Sequence, residues 1–320
     1  MVLKDETIPI KNVSENTSLE QLHPSKNKEG DIMKIGFIGA GRVGCTLGKY
    51  LSSHGKCITG YYSRNPENAK AAAEFTDTKC FSSMTELFNS SDAIFLTVSD
   101  NAIPLVYNEL LDQLKDDKSS LKGKILCHTS GACSSSVFTE SDKYGFYAYS
   151  IHPIFAVSDK YTSYINFDKA FITIEGSPEY QQDLKELFNS CELKTAVISA
   201  ENKSKYHAAS VMASNFVCGL FNNAVKLLVE CGFDKDEAAT ALSGLFIKNA
   251  EGIALNGPIK QLTGPIERND SSTIKKHLSV LSESDRELYL ILSKVTLKLA
   301  EEKNKERDYS DMENLLGGND

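Results

Sequence analysis

Three segments of the 320-residue sequence bring chemically useful residue types together at informative spacings. The first is Gly39-Ala40-Gly41-Arg42-Val43-Gly44, whose glycines follow the pattern Gly-x-Gly-x-x-Gly. In such a turn the first glycine permits the bend and the second lets a pyrophosphate reach the backbone. The third lets the following helix pack on the preceding strand. That helix faces the phosphates with free amides and the positive end of its dipole. An NAD site carries an acid about 20 residues further on, which accepts the ribose hydroxyls. Here that stretch reads Tyr61-Tyr62-Ser63-Arg64-Asn65, with no carboxylate. Ser63 and Arg64 suit a 2′-phosphate through hydrogen bonds and charge, so the expected cofactor is NADP.

The second group comprises polar residues just after apolar runs: Thr97-Val98-Ser99-Asp100-Asn101, His128-Thr129-Ser130-Gly131-Ala132 and Ser150-Ile151-His152-Pro153. Val98, Ser99, Asn101 and Ser130 are expected beside ribose or nicotinamide, and Ser130, Gly131 and His152 beside a substrate. The third is Lys203-Ser204-Lys205-Tyr206-His207, followed by Ser210, Ser214 and Asn215. On one continuous helix, His207, Ser210, Ser214 and Cys218 would form a polar stripe. That stripe would either satisfy buried groups or face a cleft with His207 as proton donor, a role suited to histidine's near-neutral pKa. Leu262-Thr263-Gly264-Pro265-Ile266-Glu267-Arg268-Asn269-Asp270 is a turn-rich interruption. It reads either as a plain loop with Arg268 and Asp270 paired, or as one bringing Arg268 to a substrate carboxylate or a dimer interface.

Apolar runs at 33–38, 57–61, 93–98, 124–128, 146–150, 170–174 and 196–199 alternate with helical stretches at 43–53, from Pro66 and from Met84. This alternation predicts a parallel sheet covered on both faces. Beyond residue 200 the pattern turns helical, over 206–231, 235–249 and 273–302. The expected fold is α/β, a doubly wound Rossmann sheet followed by an all-α domain. The boundaries are a flexible extension over 1–31, a nucleotide domain over 32–200, a helical substrate or dimerisation domain over 201–304 and a flexible tail over 305–320.

Composition narrows the function classes. Apolar residues make up 41% and charged residues 24%, values of an ordinary globular protein. A net charge of −8 without a basic cluster disfavours nucleic acid and anionic membranes. No run approaches the roughly 18 apolar residues of a membrane span. The eight cysteines include no CxxC pair, read as reduced buried thiols, and imply a reducing, cytoplasmic setting; no metal site is expected.

The strings GFIGAGRVG, HTSGA, IHPIF, YHAASVMASNF and LTGPIERND together resemble a bacterial family of Rossmann-like NADP oxidoreductases whose C-terminal half is a domain of unknown function. The resemblance spans roughly residues 33–300, with Asn269 standing where that family has glycine. The family is similar to a wider group that includes ketopantoate reductase, pyrroline-5-carboxylate reductase, prephenate dehydrogenase and the 6-phosphogluconate dehydrogenase relatives. It implies a homodimer and NADPH-dependent reduction of a small 2-keto acid. Ketopantoate, reduced to pantoate in pantothenate synthesis, is the leading candidate. An imine or prephenate-like dehydrogenase and a non-catalytic dinucleotide sensor are the alternatives. By this resemblance Asn215 corresponds to a substrate-orienting asparagine. His207 stands where ketopantoate reductases carry a catalytic lysine, with Lys205 as an alternative. His152 matches the histidine segment of prephenate dehydrogenases.

Overall fold

The computed structural model describes residues 33–115 and 117–317, so the expected extension over 1–31 lies outside the described residues. The chain divides into two compact units, Met1–Ala213 and Ser214–Asp320.

The first unit is built on one eight-stranded sheet. Its strands are β1 (Lys34–Ile38), β2 (Cys57–Tyr62), β3 (Lys79–Cys80), β4 (Ala93–Leu96), β5 (Ile125–His128), β6 (Tyr147–Ile154), β7 (Phe171–Gly176) and β8 (Lys194–Val197). Their spatial order is β3-β2-β1-β4-β5-β6-β7-β8, and every pairing is parallel except β6 with β7. The helices are α1 (Arg42–Ser53), α2 (Pro66–Thr76), α3 (Met84–Asn89), α4 (Ile103–Gln113), α5 (Ser141–Tyr144), α6 (Gln181–Asn189) and α7 (Lys203–Ala213).

The central strands are short and mostly apolar because helices cover both sheet faces. Successive side chains point to opposite faces. Ile35, Phe37, Phe95, Cys127 and Ile151 therefore join one buried cluster, while Ile38, Ile94, Leu96 and Leu126 join the other. The order 3-2-1-4-5-6 places a crevice where the strand order reverses, between the parallel neighbours β1 and β4. The doubly wound sheet expected from the sequence is present. The two-residue β3 was not anticipated, being too short to show a period, nor was the antiparallel β7.

The second unit is helical: α8 (Asn215–Glu230), α9 (Lys235–Asn256), α10 (Pro258–Gln261), α11 (Ser271–Val280), α12 (Glu283–Lys303) and α13 (Ser310–Leu315). Its core contains Ile266, Ile274, Leu297, Ala300, Tyr309, Met312 and Leu316. That core corrects the expected flexible tail, because residues beyond 305 supply three of its buried side chains. Tyr309 donates to the Glu267 carbonyl at 2.6 Å and Asn269 Nδ2 to the Asp308 carbonyl at 2.8 Å, tying the segment to the 264–270 turn.

Four further expectations change. The division falls after Ala213 rather than at 200, so α7 belongs to the sheet unit. The helix expected over 206–231 breaks at Ser214 (φ −128°, ψ −75°), which ends the continuous polar stripe through Ser214 and Cys218. All eight cysteines are free, but Cys57, Cys80, Cys218 and Cys231 are exposed rather than buried. The segment Ala200–Glu230 contains an 18-residue window of mean hydropathy 1.2 and is long and apolar enough to cross a membrane by length and composition only, where the sequence led us to expect no such segment.

Candidate active site

The phosphate turn is made mainly of backbone. Gly39 adopts φ +105°, a conformation open to glycine at little cost. A Cβ on Gly44 would sit 2.7 Å from the Gly39 carbonyl oxygen and closer still to Thr97 Oγ1. Thr97 donates to that carbonyl at 2.7 Å, so the end of β4 braces the turn. No acidic residue lies in the first turn of α1, leaving its amides for an anion.

A cleft of about 230 Å³ opens beside the turn. Gly39, Ala40, Gly41, Ser63, Arg64, Val98 and Ser99 line it, as the sequence led us to expect. Tyr62 at the end of β2, Asn68 on α2, and the buried Met84 and Val106 on α3 and α4 also line it and were missed as cofactor contacts. Arg42 turns away and donates to the Ser158 carbonyl at 3.4 Å, while Val43 and Gly44 form the start of α1. Asn101 lies exposed in the turn before α4. The glycine cradle, the acid-free helix start and the Ser63–Arg64 pair all suit NADP. The turn and α1 would hold the pyrophosphate, and Ser63 and Arg64 the 2′-phosphate.

A second constellation forms at the ends of β5 and β6 within the same unit. The His152 and His207 rings stand 6.1 Å apart, nearly perpendicular at 82°. Both crowd Gly131, where a Cβ would lie 2.5 Å from His207 Nδ1 and 3.0 Å from His152 Nε2. Only glycine fits there. His207 Nδ1 is buried with no hydrogen-bond partner among the described residues. His152 Nδ1 lies 2.7 Å from the Tyr206 hydroxyl. Burial, reinforced by the nearby Lys203 cation, lowers the His152 pKa to about 4.

The loop carrying Gly131 is pinned at both ends. Lys203 is 2% exposed and donates to the Ser130 carbonyl at 2.9 Å and to Ser150 Oγ at 2.7 Å. Burial lowers its pKa to about 8. At the other end the Glu175 carboxylate accepts from Ser135 N and Ser135 Oγ, both at 2.7 Å. Ser130 Oγ accepts from the Ala132 and Cys133 amides, so its side chain shapes the loop. His128 is fully buried with both ring nitrogens engaged: Nδ1 accepts from Ser130 N and Nε2 faces the Ser134 carbonyl. It is a structural histidine.

Lys205, the alternative proton donor from the sequence, is exposed; the buried lysine is Lys203. Helical periodicity held that signal, since Lys203 and His207 are one turn apart on one face and Lys205 is not. Asn215 and Arg268 belong to the second unit. Asn215 is exposed at the start of α8, its Oδ1 accepting from Ser214 Oγ at 3.0 Å. Asp270 caps α11 through Thr273 N at 3.1 Å, and no ion pair joins it to exposed Arg268 among the described residues. Asn269 has φ +59°, a left-handed position that asparagine tolerates in place of glycine.

Comparison with known proteins bears on both halves. Residues 34–127 match the family model described as NADP oxidoreductase, coenzyme F420-dependent, and residues 170–296 match a domain of unknown function, DUF2520. No curated protein sequence matches the chain. Among solved structures, protein TM1727 from Thermotoga maritima is 25% identical with a TM-score of 0.65, covering 84% of this chain and 99% of that one. The Plasmodium falciparum pyrroline carboxylate reductase with NADP bound is 16% identical, TM-score 0.54, covering 85% and 97%. The Aspergillus terreus reductive aminase in complex with NADPH is 14% identical, TM-score 0.54, covering 88% and 98%. At these identities the two reductases share the fold. With the nucleotide half matched by the NADP oxidoreductase model and a cleft lined by the glycine turn, Ser63 and Arg64, the chain is an NADP-dependent oxidoreductase.

Proposed function

We propose that the protein reduces a small substrate with a C=O or C=N bond, using NADPH, and that ketopantoate is its leading candidate substrate. The observation that carries this reading is the convergence of His152 and His207 on Gly131, in the unit that holds the phosphate turn. When bound, the reduced nicotinamide supplies the hydride. The protein's part is to meet the charge that develops on the substrate heteroatom and to move one proton. His152 is neutral at physiological pH and donates as an N–H group rather than an imidazolium. His207 brings a second ring nitrogen with no competing partner among the described residues. Lys203 and Glu175 hold the loop so that Gly131 keeps its place against both rings.

The imine reading is favoured by the activities that name the two reductases sharing the fold, a pyrroline carboxylate reductase and a reductive aminase. A panel of 2-keto acids including ketopantoate, together with cyclic imines, separates the readings by NADPH absorbance. Turnover of ketopantoate is the expected result, and turnover of imines alone would move the assignment to imine reduction. NADPH binding with no turnover on any member would leave a dinucleotide sensor instead.

We further propose that a second copy of the chain covers the helical unit. Phe216, Leu245, Leu255, Val280, Ile291 and Val295 are all more than half exposed there, more than single scattered apolar residues account for. Light scattering at micromolar concentration should give twice the chain mass. A monomer would contradict this.

A further inference from the structure

The His152 ring has one nitrogen engaged and one open. Thr173 stands opposite His152 in the antiparallel register of β6 and β7. Its Oγ1 lies 3.0 Å from the Tyr206 hydroxyl and 3.2 Å from the His152 carbonyl oxygen. Ser210 also hydrogen-bonds the Tyr206 side chain, and two proton arrangements connect His152, Tyr206 and Thr173. In one, Tyr206 donates to His152 Nδ1 and Thr173 donates to Tyr206. In the other, His152 Nδ1–H donates to Tyr206, Tyr206 to Thr173, and Thr173 to the His152 carbonyl.

Chemistry and distance both select the first. A phenol is a stronger acid than a neutral imidazole N–H, and an imidazole nitrogen is a stronger base than a phenolic oxygen. The O–H···N bond is therefore the better of the two. The 2.7 Å separation stands at the short end of the range for an N–H donor to oxygen, about 2.7–3.2 Å, and accords with an O–H donor. Thr173 also lies nearer the hydroxyl than the carbonyl.

We propose that Tyr206 and Thr173 are positioning residues that lock His152 as its Nε2–H tautomer, presenting a fixed N–H donor at the Gly131 corner. The proposal rests on the reading of that corner as the reacting site. Nε2 lies 3.0 Å from the Cβ position that Gly131 leaves empty, and the partnerless His207 Nδ1 lies 2.5 Å from the same point. A ligand oxygen or nitrogen arriving beside the two rings meets a donor whose direction is already set, and no proton need be rearranged first. The groups facing His152 reinforce its neutral state. Burial, Lys203, His207 and His128 disfavour its cation, and Asp100 alone opposes them. A neutral ring has two tautomers, so a device that chooses between them has a consequence here. His128 shows the contrast. It is also held neutral by burial, but protein groups occupy both its nitrogens and leave no donor to present.

Histidine-selective ¹⁵N labelling of the full chain reads the ring nitrogens directly, with His152→Gln identifying the His152 signals by their loss. At neutral pH the wild type should show a protonated Nε2 and an unprotonated, hydrogen-bonded Nδ1, with and without NADP. Tyr206→Phe should turn the ring into a tautomer mixture and lower kcat about 10- to 100-fold while NADPH affinity stays within about twofold. Thr173→Val, which keeps the shape and removes the hydroxyl, should move the ring the same way by less. It also keeps the test open if Tyr206→Phe does not fold. A wild-type ring protonated at Nδ1, or an unchanged tautomer in both variants, overturns the proposal. The spectrum needs no substrate. A locked ring in a protein that turns over nothing would therefore reject the reductase reading alone.

Discussion

The two constellations of the sheet unit are built from different materials. The phosphate turn consists of consecutive residues whose backbone is offered to the ligand, and the Thr97 and Tyr61 hydroxyls brace it through the Gly39 and Gly44 carbonyls. The histidine corner gathers Gly131 from the β5 loop, His152 from β6, Thr173 from β7, and Lys203, Tyr206 and His207 from α7. Its geometry depends on side chains, chiefly Lys203 and Glu175 at the two ends of one loop. The first can therefore bind a cofactor without help from the second, and the second can fail without loss of the first.

Substitutions can break that separation. The largest effect is expected at Gly44→Val, whose side chain would enter the space of the Gly39 carbonyl and Thr97 Oγ1. NADPH affinity should fall by at least about 100-fold, or ~2.7 kcal/mol, in a protein with an unchanged circular dichroism spectrum. Affinity within tenfold of wild type would show that the turn does not hold the pyrophosphate. A smaller change sharpens the cofactor side. Arg64→Ala should reduce the preference for NADPH over NADH about tenfold, the size of one charge-assisted hydrogen bond to phosphate. An unaltered preference in paired titrations would remove Arg64 from the 2′-phosphate site.

A separate prediction concerns stability rather than binding. Burial lowers the pKa of His128 and of His152 from 6.5 to about 4, so the unfolded chain binds more protons between those values. Stability is then fully present above 6.5 and is lost as pH falls towards about 4, by roughly 3 kcal/mol or less per histidine. Urea midpoints measured across that range should fall with pH. His128→Gln should flatten the slope by about one proton, and a slope unaffected by that variant would contradict the assignment.

Legibility in the sequence follows the same division. Local order wrote the phosphate turn, its strand and helix, and the absence of an acid after β2, and all were readable from consecutive residues. His152 and His207 could be singled out by type, but not their meeting at Gly131, which depends on strand register and on the placement of α7. Lys203 went unrecognised because a lysine reads as surface by default, and only its one-turn spacing from His207 hinted otherwise. The helix over 206–231 looked continuous because Ser214 interrupts it without proline or glycine. The segment after 305 looked like a tail because Tyr309, Met312 and Leu316 are apolar at no long period, yet they fill the core of the helical unit.

Gly131→Ala tests the separation of cofactor site and reacting corner most directly. NADPH affinity and the single-turnover rate of NADPH oxidation are read on one sample, with a substrate that the wild type reduces. The added methyl group strikes His207 Nδ1 and the His152 ring, neither of which lines the cofactor cleft. The account predicts affinity within about twofold of wild type and a rate about 100-fold lower, the scale of an ångström-sized misplacement of reacting groups. A rate equal to wild type, or a parallel loss of NADPH affinity, would contradict it.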